Sequence, residues 1–484
     1  MKAVVGPRPA KPVHHARGIR AFAWYARFVQ DALGCLCEAY RLAPLCVAHG
    51  MLPWRRRQKN VFALSVDSNR TVLGDTATFR TTPQTAGGPH NSALRRIRHG
   101  LTAMNGDEHR EQRQLLTPMF VKKAVDSYYA TGVAMTDWLM SRWTPGMVVN
   151  MHREMHRLSL RISSHVLFGR EDVESAEYKG ELIEELFVRN FSPLCWLFPF
   201  NLPATPFRRL LQHAEKIESV LWQSIEERRA VLSQTPDVLD MLIQAHSAGQ
   251  MSDAALLGQA TILFAASFET QANTLNWTLF LLTQHPKVIA DLADELRVLR
   301  GSPPTVEQLD RMPLLEAVLK ESMRILPTVP YTIRAVTRPT ELGGVQLDLE
   351  DRVICSHYVT HHMPEIYSEP QRFAPERWFT IKPSPYEYFP FSAGNRICIG
   401  RHMSLMLMRV ALAMILQRWR LAVVPGATID RVVRVTLGPK HGLPMILTPQ
   451  DNHFSANPVQ GNIHDMVDLR HVRSAVALAS RAAA

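Results

Sequence analysis

A cysteine in a glycine-containing loop, directly before an apolar helix, is the strongest chemical signal in the sequence. The segment reads FSAGNRICIG, and its informative positions are Phe391, Gly394, Arg396, Cys398 and Gly400. A helix is predicted over residues 399–420, and the N–H groups and dipole at its N-terminus favour an anion. The thiolate, not the thiol, is the reactive form of cysteine. The pattern therefore indicates a stabilised thiolate at Cys398 rather than a structural cysteine.

An acid and an alcohol lie side by side in a second apolar helix, predicted over residues 253–284. Glu269 and Thr270 are costly there unless they are hydrogen-bonded or used in chemistry. Taken alone, the pair is as compatible with a satisfied polar kink in the helix as with proton transfer. The cysteine motif further along the chain favours proton transfer.

Two more pairs have helical spacing. His109 and Arg113 are four residues apart, so they share one face of a helix. Glu321 and Arg324 form an E-x-x-R pair, which is uninformative by itself. It is followed by Leu326-Pro327 and then, some fifty residues later, by the segment FAPERW that contains Arg377.

Together these motifs resemble the cytochrome P450 family. The chain matches its F-x-x-G-x-R-x-C-x-G, E-x-x-R, [DE]-T and G-x-x-H-x-x-x-R patterns in the usual order. The likeness extends over roughly residues 35–450. One departure is Ser267, where the family usually has glycine, so that the side chain could narrow the oxygen groove or add a hydrogen bond.

The resemblance implies a role for each motif. Haem b would be the cofactor, with Cys398 as the iron ligand, Gly400 close to the sulfur and Phe391 shielding it. Thr270 and Glu269 would deliver protons during oxygen activation. Glu321, Arg324 and Arg377 would form a buried structural charge network. The residues expected to bind the haem propionates are Arg396, His109, Arg113 and, more weakly, Arg334.

The implied activity is a haem-thiolate monooxygenase. It would insert one oxygen atom from O2 into a hydrophobic small molecule, such as a fatty acid, terpenoid, steroid or polyketide. The expected pocket walls are residues 80–104, 191–207, 262–270, Pro327 to Ile333 and Leu437 to Leu443. Two alternatives stay open: a haem-thiolate isomerase, dehydratase or peroxide-driven enzyme, and a non-catalytic haem sensor. Retention of Glu269 and Thr270 argues against both.

The implied fold is a mainly α-helical single domain with small β-sheets, with haem between the Thr270 helix and the Cys398 helix. Hydrophobic periodicity agrees, because it predicts long helices over 106–143, 151–189, 206–249 and 306–325. Residues 31–50 read as an amphipathic helix, and strands are predicted within 332–356. The expected division is a basic segment 1–34, the P450 domain 35–450 and a mobile extension 451–484.

Charge and composition restrict the classes of partner that the protein could bind. The net charge of +11 favours acidic partners, but no nucleic-acid-binding motif accompanies it. The sequence has neither a flavin or NAD signature nor an iron–sulfur cysteine run, so electrons would come from a separate ferredoxin with its reductase. The basic residues expected at that docking face are Arg110, Lys122, Lys123 and Arg401. No disulfide pattern or transmembrane anchor is evident, which indicates a cytoplasmic enzyme. Arg55, Arg56 and Arg57 are interpreted as a solvated charge run, with peripheral contact to an anionic membrane as the alternative.

Overall fold

Helices dominate the computed structural model, which describes residues 4–6, 12–50, 58–82, 87–169, 173–190, 192, 194–195, 199–230 and 237–472. The α-helices of this part of the chain are α1 Ile19–Gln30, α2 Ala32–Leu42, α3 Val66–Gly74, α4 Ala93–Arg96, α5 Gly106–Leu116, α6 Lys122–Met140, α7 Met151–Phe168, α8 Val173–Asn190, α9 Pro206–Ala230, α10 Val238–Ser247, α11 Asp253–Gln284, α12 Pro286–Leu296, α13 Val306–Asp310, α14 Pro313–Ile325, α15 His357–His361 and α16 Arg401–Arg418. Their packing encloses one large apolar core.

Short strands form four small sheets. The strands are β1 Val13–Ala16, β2 Leu45–His49, β3 Lys59–Ala63, β4 Phe79–Thr81, β5 Val148–Asn150, β6 Tyr331–Val336, β7 Thr340–Leu342, β8 Val345–Leu347, β9 Arg352–Ser356, β10 Trp419–Val423, β11 Arg431–Val433, β12 Leu437–Pro439 and β13 Pro444–Pro449. The largest sheet has the order β1-β2-β3-β9-β6-β4, with β1/β2 and β3/β9 parallel. The others are β10-β13-β5, β11-β12 and β7-β8.

The long helix α11 runs through the core with the bounds that the sequence predicts. Ser252 caps its N-terminus by accepting a hydrogen bond from the Ala255 N–H. It ends before Pro286, which lacks the N–H that would continue the helix. Almost all of its side chains are buried, and it packs against α7, α10, α14 and α16. Such an all-round apolar helix is stable only in a protein interior.

Prolines explain why two of the predicted helices were too long. The segment 106–143 is divided into α5 and α6 by a 3₁₀ turn that contains Pro118. The expected single amphipathic helix over 31–50 is wrong. Pro44 disfavours helical geometry at Ala43, which is extended, so α2 stops at Leu42 and strand β2 follows. Most of α2 is also buried rather than half-exposed.

Both ends of the described chain share the main core. Trp24 in α1 is buried against Phe62, and Ile463, Met466 and Leu469 are buried in the same apolar cluster. The expected mobile extension from residue 451 is therefore packed against the domain as far as residue 472, because its apolar side chains are buried there. Residues 473–484 lie outside the described residues.

A buried charge cluster joins α14 to the long coil after α15. The Glu321 carboxylate accepts hydrogen bonds from Arg324 Nε and Nη2, both 2.9 Å, and from Arg377 Nε at 2.9 Å. Trp378 Nε1 and the Ala374 N–H donate to it as well, at 3.0 and 3.1 Å. Glu321 and Arg324 are fully buried. The guanidiniums hold the pKa of Glu321 below its usual value although burial opposes this.

We expect Arg324→Ala to lower the free energy of unfolding by about 3–5 kcal/mol, because it leaves the Glu321 charge buried with too few partners. The measurement is denaturant unfolding of the purified protein. Arg372→Ala is the matched control, since Arg372 forms exposed ion pairs with Glu369 and Glu376 and its loss should cost about 0–1 kcal/mol. Equal losses in the two variants would contradict a structural role for the cluster.

Candidate active site

The loop before α16 is held by its own backbone. The Cys398 N–H donates to the Phe391 carbonyl at 2.9 Å, and the Ile397 N–H donates to Gly394 O at 3.1 Å. Gly394 has a φ of 65°, and a Cβ there would lie 2.4 Å from the Leu73 carbonyl oxygen. Glycine is therefore required at this position, both by its left-handed backbone and by the end of helix α3.

Cys398 presents its sulfur to an internal cavity. The accessible surface of Cys398 faces this cavity. Protein atoms enclose the residue on its other sides. Burial raises the pKa of the thiol, while the Gly400 N–H and the charges of Arg113 and Arg401 act in the opposite direction. Helix α16 begins at Arg401. Backbone N–H groups and cations at the sulfur thus offset part of the cost that burial places on its anionic form.

The backbone conformation at position 400 does not require glycine. Its φ is −84°, and a Cβ there would lie 4.0 Å from the Cys398 sulfur and 3.9 Å from the Phe120 ring. Both distances are ordinary contacts. The expected close approach to the sulfur is present, but the structure shows no turn that requires glycine at this position.

The cavity extends from the Cys398 loop to α11 and has a volume of about 550 Å³. Its walls come from the segment before α5, from α5 itself, from α11, from residues around β6 and from the Cys398 loop. Most of the surface that lines it is apolar, and the aliphatic contributors include Ile97, Leu101, Leu167, Leu186, Ile262, Leu263, Ala266, Val329 and Ile333. Such a lining suits an apolar ligand.

The expected basic residues converge on this cavity. His109, Arg113, Arg334 and Arg396 all line it, and none of the described residues that line it is Asp or Glu. Burial lowers the pKa of His109 to about 4, with Arg396 and Arg113 contributing. Burial also lowers the pKa of Arg396 to about 10. A concentration of buried positive charge without a carboxylate favours an anionic ligand.

The basic side chains at the cavity differ in their hydrogen bonds: two guanidinium groups donate to carbonyl oxygens, and a third has a donor without a partner. Arg396 donates to the carbonyls of Leu101 and Met104, and Arg113 donates to Ile397 O at 2.8 Å. In contrast, the buried Arg334 Nε has no hydrogen-bond partner in the described chain. Because buried polar groups are nearly always satisfied, the unpaired donor fits a ligand that carries carboxylates, as haem does.

Three further cavity residues carry unpaired buried polar atoms. The atoms are Thr332 Oγ1, Ser392 Oγ and both ring nitrogens of His357. Thr332 lies in the predicted wall Pro327 to Ile333, and sequence reasoning missed the other two. His357 is almost completely buried beside Phe389, and burial lowers its pKa to about 3. In the sequence it is one of several histidines in a HYVTHH run, so spacing gave no reason to select it. A histidine directly after the apolar strand β9 was the available signal.

The acid and the alcohol of α11 face different surroundings. Thr270 lines the cavity, and its hydroxyl donates to the Ala266 carbonyl at 2.8 Å. Glu269 is not among the described cavity-lining residues. Its carboxylate accepts a hydrogen bond from Thr436 at 2.6 Å, and burial raises its pKa. The structure therefore brings only Thr270 of this pair to the cavity.

Ser267 lines the cavity at the position where the family usually has glycine. Its hydroxyl donates to the Phe264 carbonyl at 2.8 Å, one turn back along α11. The additional hydrogen bond is thus made within the helix, which satisfies the hydroxyl locally.

The predicted walls are partly correct. Residues from 80–104, 262–270 and Pro327 to Ile333 line the cavity. The segment Leu437 to Leu443 does not line it. Leu437 instead forms backbone hydrogen bonds: its carbonyl accepts from Trp277 Nε1, and its N–H donates to Thr328 O. Of 191–207, several residues lie outside the described part and none of the described ones lines the cavity.

Comparisons with known proteins agree with the fold and with this site. Residues 51–443 match the family model described as Cytochrome P450. Cyclooctat-9-en-7-ol 5-monooxygenase of Streptomyces melanosporofaciens is 29% identical over 75% of this chain and 81% of its own length. Pentalenene oxygenase of Streptomyces avermitilis is 27% identical over 70% of this chain and 77% of its own.

A solved structure shows the same fold. The retinoic-acid-bound cyanobacterial CYP120A1 superposes with a TM-score of 0.74 at 22% sequence identity, over 88% of this chain and 94% of that one. The family carries haem whose iron is ligated by a cysteine. The match of the family model over most of the chain and the monooxygenase relatives lead to one conclusion: the chain belongs to the cytochrome P450 family and is a haem-thiolate monooxygenase.

Proposed function

We propose that this monooxygenase binds haem b with Cys398 as its axial ligand and oxidises an apolar, terpenoid-like molecule. The observation that carries the proposal is the placement of the Cys398 sulfur and the Thr270 side chain on one cavity whose lining surface is mainly apolar. Haem bound there would supply oxygen activation, to which a thiolate ligand contributes electron density. The chain must then orient the substrate, exclude water and deliver protons.

Basic groups would hold the haem carboxylates. Arg334 has a buried Nε without a partner, and His357 has two such ring nitrogens. Together with His109, Arg113 and Arg396 they offer N–H donors to two propionates in a region that lacks acidic side chains among the described lining residues.

Thr270 would handle protons at the cavity wall. Its hydroxyl now donates to the Ala266 carbonyl, so its oxygen can accept a hydrogen bond from a water or a substrate in the cavity. Glu269 would act from outside the cavity as a proton source. Its raised pKa keeps the carboxyl protonated to a higher pH than that of an ordinary glutamic acid, which is what a proton donor near neutrality needs.

A terpenoid-like substrate is supported by two observations. Aliphatic side chains such as Leu186, Ile262 and Val329 can contact an apolar skeleton without requiring hydrogen bonds from it. In addition, two of the relatives are named for the oxidation of terpenoid molecules, cyclooctat-9-en-7-ol and pentalenene.

Electrons would come from a separate acidic protein, for which we propose a ferredoxin with its reductase in the cytoplasm. The net charge of +11 would steer such a partner. Arg401 begins α16 beside the Cys398 loop, and Arg110 is exposed on α5 next to Asp107. Lys122 and Lys123 open helix α6, and their side chains lie outside the described residues.

Replacement of the ligand tests the proposal directly. We expect Cys398→Ser to abolish the red-shifted Soret band that the reduced, carbon-monoxide-treated protein shows with thiolate ligation. Cys46→Ser is the control, because Cys46 is a buried cysteine that donates only to the carbonyls of Ala39 and Ala43. Persistence of the band in Cys398→Ser would assign the ligand to another residue.

The proton role of Thr270 predicts uncoupling. With any compound that shifts the haem absorbance, Thr270→Ala should bind normally but divert electrons to free hydrogen peroxide, lowering product per electron at least about tenfold. Thr278→Ala is the control, since Thr278 lies on the same helix with the same type of back-bond, to Thr274 O, but outside the cavity. Equal coupling in Thr270→Ala and the parent would remove Thr270 from proton delivery.

Haem retention tests His357. We expect His357→Phe to speed haem transfer from the ferric protein to apomyoglobin by about tenfold to a hundredfold, because one hydrogen bond to a carboxylate is lost. Phenylalanine preserves the packing against Phe389. His402→Phe, on an exposed histidine, should leave the rate unchanged. If the two variants release haem at the same rate, His357 does not bind the cofactor.

A further inference from the structure

Helix α1 presents large apolar side chains to solvent on the face opposite its packed face. Ile19 is 83% exposed, Phe22 58%, Tyr25 53% and Val29 60%. Their spacing of three, three and four residues places them within about a third of the helix circumference, because successive residues are about 100° apart. They therefore form one continuous exposed stripe, which we call the α1 stripe.

The inner face of α1 is firmly anchored. Trp24 packs edge-to-face on Phe62 with ring centroids 5.6 Å apart, and Phe28 contacts both Phe62 and Tyr331 at 5.7 and 5.1 Å. The residue that follows the helix, Asp31, pairs with Arg431. Because these contacts fix the orientation of the helix, the α1 stripe cannot turn inwards without breaking them.

Helix α1 and the sequence before it carry charge of one sign. The first 30 residues contain no Asp or Glu, and their basic residues are Lys2, Arg8, Lys11, Arg17, Arg20 and Arg27. Arg20 and Arg27 lie along one flank of the helix, between the stripe and the packed face. Arg27 pairs with Glu38 on α2, whereas Arg17 and Arg20 are exposed.

We propose that the α1 stripe binds the surface of an anionic lipid membrane. A helix with aromatic and aliphatic side chains outward, and with arginines and no acids in its own sequence, has the features of a helix that lies in the membrane interface. The apolar side chains would enter the headgroup region, and Arg17 and Arg20 would contact lipid phosphates. Among the described residues, no helix is long and apolar enough to cross a membrane.

The test measures co-sedimentation of the purified holoprotein with vesicles made of equal parts phosphatidylglycerol and phosphatidylcholine. The parent should bind these vesicles, bind pure phosphatidylcholine vesicles weakly, and dissociate as salt is raised. Val29→Glu should lower the partition coefficient at least about tenfold, because it places a charge in the apolar contact. Phe22→Glu should do the same.

Val298→Glu is the matched control, since Val298 is 65% exposed outside α1 and receives the same substitution. It should bind vesicles like the parent, and all variants should keep the parent's haem spectrum. Vesicle binding by Val29→Glu equal to that of Val298→Glu would overturn the proposal. So would a parent that ignores vesicles but forms a dimer that Val29→Glu dissociates, because the α1 stripe would then bind a second copy of the chain.

Discussion

The buried carboxylate of Glu321 is the interaction on which the geometry of the site depends. A carboxylate in a protein interior is unfavourable unless all its oxygens are satisfied, and here side chains and backbone from α14 and from the following coil donate to it. The cluster continues towards the cysteine. Arg324 also donates to the His361 carbonyl, and the His361 ring accepts a hydrogen bond from the Phe389 N–H. Phe389 lies two residues before Phe391, whose carbonyl holds the Cys398 N–H. The charge cluster thus fixes a long coil that has little regular structure of its own.

Charged groups are fully paired in the structural Glu321 cluster, whereas some polar groups at the cavity have no partner. In the Glu321 cluster every charge has a partner, so the cluster can be rigid. At the cavity, Arg334 and His357 keep buried donors without partners in the described chain. Unsatisfied donors of this kind lower the stability of the empty protein, and a ligand with carboxylates would recover that free energy. The same residues would therefore couple cofactor binding to folding.

Sequence reasoning performed best where chemistry demands particular residue types at fixed spacing. The Cys398 loop and the α11 helix were predictable from residue types, because a thiolate needs a helix start and an apolar helix needs a core, whereas the Glu321 network was implied only by the family resemblance. It performed worse where distant contacts decide. Gly394 is required by the Leu73 carbonyl, which is more than three hundred residues away in sequence. His357 reaches the cavity through the pairing of β6 with β9, and no local pattern encodes that pairing. The continuation of the core beyond residue 450 likewise depends on tertiary burial of side chains such as Ile463.

In the proposed proton delivery, the neighbours Glu269 and Thr270 would act from different sides of one helix. Successive side chains on a helix point about 100° apart, and here Thr270 lines the cavity whereas Glu269 is not among the described lining residues. Glu269 is tethered to Thr436 in the turn between β11 and β12, and Asn273, one turn along α11, donates to the same hydroxyl. Its surroundings on that side include His156, whose ring contacts Phe268 and pairs with Glu184 near the surface. A proton held by Glu269 would thus lie beside these polar groups rather than in the cavity. Its passage to Thr270 would require either rotation of the carboxyl away from Thr436 or a bridging water. Separation of this kind keeps the charged form of the acid out of the apolar cavity, where it would oppose the binding of an apolar substrate.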